Sequence, residues 1–237
     1  MKRLLTLVAL AAALTASAQV KVVKLWDNAS APHSNEDAGP QKEKNGNLYN
    51  TVDTELFIYP AAPDKATGQA VVVCPGGGYR FVSMPREGHE VGEWLSAEGI
   101  TVVALKYRLP NGHCQVPLED AEAALRYIRD HAAEYGVDPS RVGIMGFSAG
   151  GHLASTVSTH FENDSQRPDF SILIYPVITM DERYTHKVSR EELIGRDAPI
   201  ELVDRYSNEK QVSDRTPVTF LALSDDDGGV PPVNSTM

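Results

Sequence analysis

The chain has 237 residues, of which 42% are hydrophobic, 23% charged and 7% aromatic, and its formal charge is −10. This composition belongs to a folded globular chain and excludes fibrous and disordered classes. A nucleic-acid partner is excluded too, because phosphate binding needs a basic face and no Lys/Arg cluster exceeds two residues.

In chain order, residues 1–18 read as an export signal. Lys2 and Arg3 precede the apolar run 4–14, and Ala16-Ser17-Ala18 supplies the small residues that signal peptidase accepts. The run is too short for a hydrocarbon core of ~30 Å, and no later stretch approaches the ~20 apolar residues of a spanning helix. The expectation is an exported protein, periplasmic or extracellular, cut after Ala18 and without a transmembrane segment. No Cys follows the cut, so nothing supports a lipid anchor there. After an apolar start at 20–26, residues 19–50 are polar, with turn signals at Asn28-Ala29-Ser30 and Asn45-Gly46-Asn47. They read as an N-terminal arm wrapped on a domain that occupies 51–237.

From residue 54 onward short apolar runs alternate with helical patterns. The runs 54–59, 69–74, 101–107, 141–145, 169–175 and 218–223 include several rich in Val and Ile with little polar alternation, as in strands buried on both faces of a parallel sheet. Val91, Trp94 and Leu95 form an apolar helical face within 88–97. Leu118, Ala121, Leu125, Ile128 and Ala132 form a longer one, entered after Pro117 and ended near Tyr135-Gly136. Residues 177–216 are charge-rich, with helical patterns at 190–194 and 199–206, and read as a lid-like insertion. The alternation predicts an α/β fold, a doubly wound and mostly parallel sheet with helices on both faces.

Gly146-Phe147-Ser148-Ala149-Gly150 is a G-x-S-x-G pentapeptide. A strand-like run precedes it, and Leu153, Ala154 and Val157 mark a helix after it. That context lifts a serine hydroxyl above the C-terminal edge of a sheet, which makes Ser148 a candidate nucleophile. Pro75-Gly76-Gly77-Gly78-Tyr79 follows the strand that ends at Cys74. Consecutive glycines expose backbone N–H groups and let the main chain approach a ligand. Gly77 or Gly78, together with Ala149, is the expected oxyanion hole. Neither a Walker lysine nor G-x-G-x-x-G follows, which disfavours a phosphate site.

A serine nucleophile needs a base, and the base an orienting carboxylate. With the chain order Ser, Asp/Glu, His, the acid is expected in Asp225-Asp226-Asp227, after the strand 218–223, with Asp181 a weaker candidate. No histidine follows Asp227. His152 lies four residues into the helix behind Ser148, where a structural contact is expected. The reading is a chain cut before its last strand, catalytic histidine and final helix. No metal or cofactor is called for. Cys74 and Cys114 lack metal-ligand spacing and are expected to stay unpaired.

Val71-Val72-Val73-Cys74-Pro75-Gly76-Gly77-Gly78-Tyr79, Lys106-Tyr107-Arg108-Leu109-Pro110, Asp138-Pro139 with Arg141-Val142-Gly143, and Gly146 to Ala154 resemble secreted α/β-hydrolase esterases. The group is that of acetylxylan-esterase-like and feruloyl-esterase-like bacterial enzymes, and the likeness runs through about 50–237. It implies an α/β-hydrolase fold and removal of acetyl or other acyl groups from plant polysaccharides, oligosaccharides or other small esters. In that family the acid stands three residues before Val-Pro, which selects Asp227 ahead of Val230-Pro231. The family histidine lies in a later Gly-Gly-His-Gly type segment. The alternatives are a serine peptidase or lipase on the same fold, or, because that histidine is missing, a catalytically silent carbohydrate-binding or scaffold protein.

Overall fold

The computed structural model describes residues 19–237, so the expected export signal lies outside the described residues. A seven-stranded sheet runs in the order β1-β4-β6-β5-β7-β8-β9. Its strands are β1 (Lys21–Trp26), β4 (Thr54–Tyr59), β5 (Ala70–Cys74), β6 (Thr101–Lys106), β7 (Val142–Phe147), β8 (Phe170–Ile174) and β9 (Val218–Ala222). β1 and β4 pair antiparallel, as do β4 and β6, and every pairing from β6 through β5, β7 and β8 to β9 is parallel. A separate hairpin joins β2 (Lys42–Lys44) to β3 (Asn47–Tyr49).

β5 is buried along its whole length, which explains its unbroken Ala-Val-Val-Val-Cys sequence: both faces are covered. The helices α2 (Val116–Asp130) and α4 (Ser148–His160) pack against each other and over β5 and β7. The helix α1 (Glu90–Ala97), entered through a wide turn at Pro85–His89, lies against β4 and β6. The expected apolar face of α1 is corrected in one place, since Trp94 is 60% exposed. The helix docks at Val91 and Gly92, where a Cβ on Gly92 would stand 2.5 Å from the Tyr59 ring. That close approach turns Trp94 outward. The short helix α3 (Ala132–Tyr135) ends at Gly136 in the left-handed conformation.

The sheet begins earlier than the apolar runs indicate, because Lys21–Trp26 is its edge strand. The arm that follows is held by Arg108, whose side chain is fully buried. Its guanidinium donates to Asp120 at 2.7 Å, to Asn28 Oδ1 at 3.0 Å and to the His33 carbonyl at 2.5 Å. The Trp26 indole N–H donates to the same Asp120 carboxylate at 3.0 Å. A buried charge is stable only when partnered in this way. Both cysteines are free, with Cys74 buried and its thiol pKa raised by burial.

Candidate active site

Three chain segments meet at the C-terminal edge of the parallel strands. The first is the turn from β7 into α4. Ser148 sits there with φ +52°, a conformation costing a non-glycine residue about 1–3 kcal/mol. The surroundings require glycine on either side. A Cβ on Gly146 would stand 2.1 Å from the Gly150 carbonyl oxygen, and one on Gly150 would stand 2.0 Å from that of Cys74. Only this pentapeptide lets strand and helix approach so closely, and the turn aims Ser148 outward.

The second segment is the glycine loop after β5. Gly76 passes so near Ser148 that an added Cβ would stand 3.1 Å from the Ser148 Cβ. Gly77 and Gly78 have φ of +132° and +64°, and the Gly77 carbonyl accepts the N–H groups of Arg80 and Phe81 at 3.1 and 3.2 Å. This tight loop lines the same pocket as Ser148. Ala149, the residue after Ser148, is buried at the first turn of α4.

Sequence reasoning missed Glu87. Its carboxylate accepts the Gly76 N–H at 2.6 Å on one oxygen and the Tyr175 hydroxyl at 2.7 Å on the other. Tyr175 stands just past β8, and its ring lies 6.0 Å from that of Phe147. Burial and the Glu87 carboxylate raise the Tyr175 pKa, so it remains a neutral donor. No local spacing announces this contact.

The third segment is 177–216, with α5 (Lys187–Ile194) and α6 (Ile200–Tyr206). It contributes His186 and Val188 to the Ser148 pocket, where Val188 Cγ1 and His186 Cε1 lie 3.2 and 3.6 Å from the position of a Cβ on Gly78. Arg80, next to the glycine loop, pairs with Glu192 of α5 at 2.8 Å. The pocket has a volume of about 410 Å³ and includes Asn47, Phe81 and Ser83 on its remaining sides.

Of the three consecutive aspartates, Asp227 is half-buried and Asp225 and Asp226 are exposed. Asp227 Oδ1 accepts the N–H groups of Gly229 and Val230 at 2.8 and 3.0 Å. Asp226 instead accepts the Ser224 hydroxyl. Asp181 is committed to Arg183, which bonds it through backbone and guanidinium and lowers its pKa to about 2.

The histidines are distributed over other tasks. His33 meets Glu119, His89 Tyr59, His113 Asp37, His131 the Tyr127 carbonyl, and His160 the carbonyls of Thr156 and Arg205. His152 is wholly buried. Its Nε2–H donates to the Tyr206 carbonyl at 2.8 Å, so Nδ1 accepts from the Tyr79 hydroxyl at 2.9 Å. Burial lowers its pKa to about 4. With both nitrogens occupied, His152 links α4, the end of the glycine loop and α6, in keeping with the structural contact expected of it. His186 alone of the seven lines the Ser148 pocket. Burial lowers its pKa, while the nearby Asp227 carboxylate acts in the opposite direction. Its Nδ1 caps α5, 2.8 Å from the Ser189 hydroxyl.

A parallel sheet with a strained serine between its strand and helix, faced by a glycine loop, defines an α/β hydrolase. The alpha/beta hydrolase fold family profile matches residues 71–234, and the chain belongs to that family. It is 42% identical over 176 residues to an acetylxylan esterase of Xylanibacter ruminicola, covering 73% of this chain and 36% of that protein. It is 36% identical over 195 residues to endo-1,4-beta-xylanase B of Butyrivibrio fibrisolvens, covering 76% of this chain and 30% of that one. The chain therefore spans about a third of the length of these curated relatives. Among solved structures, it is similar to an acetyl ester-xyloside bifunctional hydrolase from Caldicellulosiruptor lactoaceticus. That match has a TM-score of 0.78 and 36% identity, and covers 91% of this chain and 78% of the other.

Proposed function

We propose that this chain is a serine carboxylic-ester hydrolase that removes acetyl groups from xylan-type polysaccharides or their oligosaccharides. The observation that carries the reading is Ser148 held at φ +52° in one pocket with Gly77 and Gly78. The likeness to an acetylxylan esterase supports the choice of acyl group and sugar.

On this reading Ser148 Oγ attacks the ester carbonyl carbon and gives up its proton to an imidazole. The N–H groups of Gly77 or Gly78 and of Ala149 hold the oxyanion of the tetrahedral intermediate. The imidazolium then protonates the departing sugar alkoxide, leaving acetyl on Ser148. Water, deprotonated by the same imidazole, attacks the acetyl carbonyl, and as the bond to Ser148 breaks the imidazolium returns its proton to Oγ and acetate leaves. Asp227 orients the imidazole and stabilises its charged form.

The family order places that imidazole after Asp227. A second reading makes His186 the base, favoured by its place in the Ser148 pocket, and it requires Nδ1 to give up its cap on α5 so that Nε2 can accept the Ser148 proton. Both are tested on a chromogenic acetate ester and on acetylated xylo-oligosaccharides, with Ser148→Ala as blank. Acetate release that depends on Ser148 supports the hydrolase, and equal rates with Ser148→Ala in a protein that also carries the histidine-bearing segment after Asp227 overturn it. If His186→Gln falls to the blank, His186 is the base; if it retains turnover, His186 is not. The composition of residues 1–18 supports export with an N-terminus at Gln19, which sequencing of secreted protein checks.

A further inference from the structure

The hairpin β2–β3 stands beside the Ser148 pocket and is built to be rigid. Its two turn residues, Asn45 and Gly46, both have positive φ, +54° and +77°, the type I′ geometry that matches the strand twist. Its tip abuts Pro85, whose Cγ lies 2.5 Å from the position of a Cβ on Gly46. Its second strand is tied to the loop after Gly78 by paired bonds between Leu48 and Val82, at 3.0 and 2.8 Å.

The register sorts its side chains. Lys42 faces Tyr49 and Lys44 faces Asn47, so these four share one side of the ribbon, while Glu43 and Leu48 share the other. Asn47 lines the Ser148 pocket together with Phe81. The Phe81 ring in turn lies 5.3 Å from the Tyr49 ring. Tyr49 belongs to a second depression of about 490 Å³, formed with Lys42, Glu43, Lys44 and Asn50. One strip of surface thus runs from Ser148 past Asn47 and Phe81 to Tyr49 and the two lysines.

We propose that this strip is an extended subsite in which Tyr49, flanked by Asn47, Lys42 and Lys44, holds the sugar chain beyond the acetylated residue. A pyranose ring offers apolar C–H faces and equatorial hydroxyls. An aromatic face meets the first, and amide and ammonium donors meet the second. The Tyr49 depression shares no lining residue with the Ser148 pocket, so a single acetylated sugar held at Ser148 does not occupy it and the strip selects oligomeric over monomeric esters. The inference rests on the proposed function for the identity of the ligand, and a binding measurement separates the two.

The probe is xylohexaose, which carries no ester, titrated calorimetrically into the full chain. The expected result is binding that Tyr49→Ala weakens about three- to tenfold, the usual worth of an aromatic contact, and that Tyr49→Trp preserves. The double variant Lys42→Ala/Lys44→Ala, at two exposed positions, weakens it in the same direction. In kinetics, Tyr49→Ala lowers kcat/KM on acetylated xylo-oligosaccharides relative to the chromogenic ester. Absence of xylohexaose binding, or equal affinity in Tyr49→Ala, overturns the subsite. An equal kcat/KM loss on both esters also overturns it, because Tyr49 then only supports Phe81. Binding through Tyr49 without Ser148-dependent turnover leaves the subsite standing and sinks the hydrolase.

Discussion

Glu87 and Gly76 are joined by a 2.6 Å hydrogen bond in which the carboxylate accepts the glycine N–H. The other carboxylate oxygen accepts the Tyr175 hydroxyl, so one side chain fixes both the glycine loop and the end of β8 around Ser148. Hydrogen bonds to a charged acceptor contribute about 1.5–3 kcal/mol each. Glu87→Gln keeps the shape but turns an amide donor toward one of these donors. We expect kcat to fall about 10- to 100-fold with a smaller change in KM, measured on the chromogenic ester. An unchanged kcat would remove Glu87 from the site.

The glycine loop predicts an order of severity. A Cβ on Gly77 would stand 2.0 Å from the Phe81 carbonyl oxygen, at a φ of +132° that L-residues rarely adopt. On Gly78, at a φ of +64°, it would meet no backbone, only the side chains of Val188 at 3.2 Å and His186 at 3.6 Å. Gly77→Ala should therefore cost kcat ~10² or more, the scale of a lost oxyanion donor, and Gly78→Ala less. Full activity in both variants would assign the loop another task.

Among the three aspartates, in a protein that carries the histidine-bearing segment after Asp227, Asp227→Asn is expected to lower kcat by about 10⁴, as when a triad base loses its orienting carboxylate. The substitution preserves an oxygen acceptor for Gly229 and Val230, so the loop itself should survive. Asp225→Asn and Asp226→Asn, at exposed positions, should change kcat little. Sensitivity at Asp226 instead would show that the spacing to Val230-Pro231 does not identify the acid.

His152 predicts an acid limb in stability. Its folded-state pKa of about 4 lies below the ordinary 6.5, because the buried ring is held neutral. Above pH 6.5 both folded and unfolded states leave it uncharged, and the residue adds no pH dependence. Between pH 6.5 and 4 the unfolded chain takes up a proton that the folded chain refuses. Stability then falls, by about 3 kcal/mol once pH 4 is reached. His186, His89 and His160 are shifted in the same direction by burial and add to the slope. His152→Asn should flatten that part of the profile of unfolding free energy against pH, even if it lowers stability at pH 7. An identical slope in variant and parent would refute the assignment.

What the sequence determined by itself were the features written in neighbouring residues. The strands β5, β6 and β7 show as apolar runs, because burial on both faces leaves no polar alternation, whereas the equally apolar β9 leaves Val218 and Phe220 exposed. Ser148 and the loop 76–78 show as short glycine motifs, because backbone crowding at Gly76, Gly77, Gly146 and Gly150 admits no side chain and Gly78 turns at positive φ. The tertiary structure decided everything that depends on distant pairs. Glu87 reaches Tyr175 across 88 positions and His152 reaches Tyr206 across 54, separations that leave no periodic trace. The outward turn of Trp94 follows from the contact of Gly92 with Tyr59, which α1 cannot announce on its own. The edge position of Lys21–Trp26 and the entry of Asn47 and His186 into the Ser148 pocket have the same origin. Local sequence sets backbone shape within an element, while the choice of its neighbours is made by the packing of the whole chain.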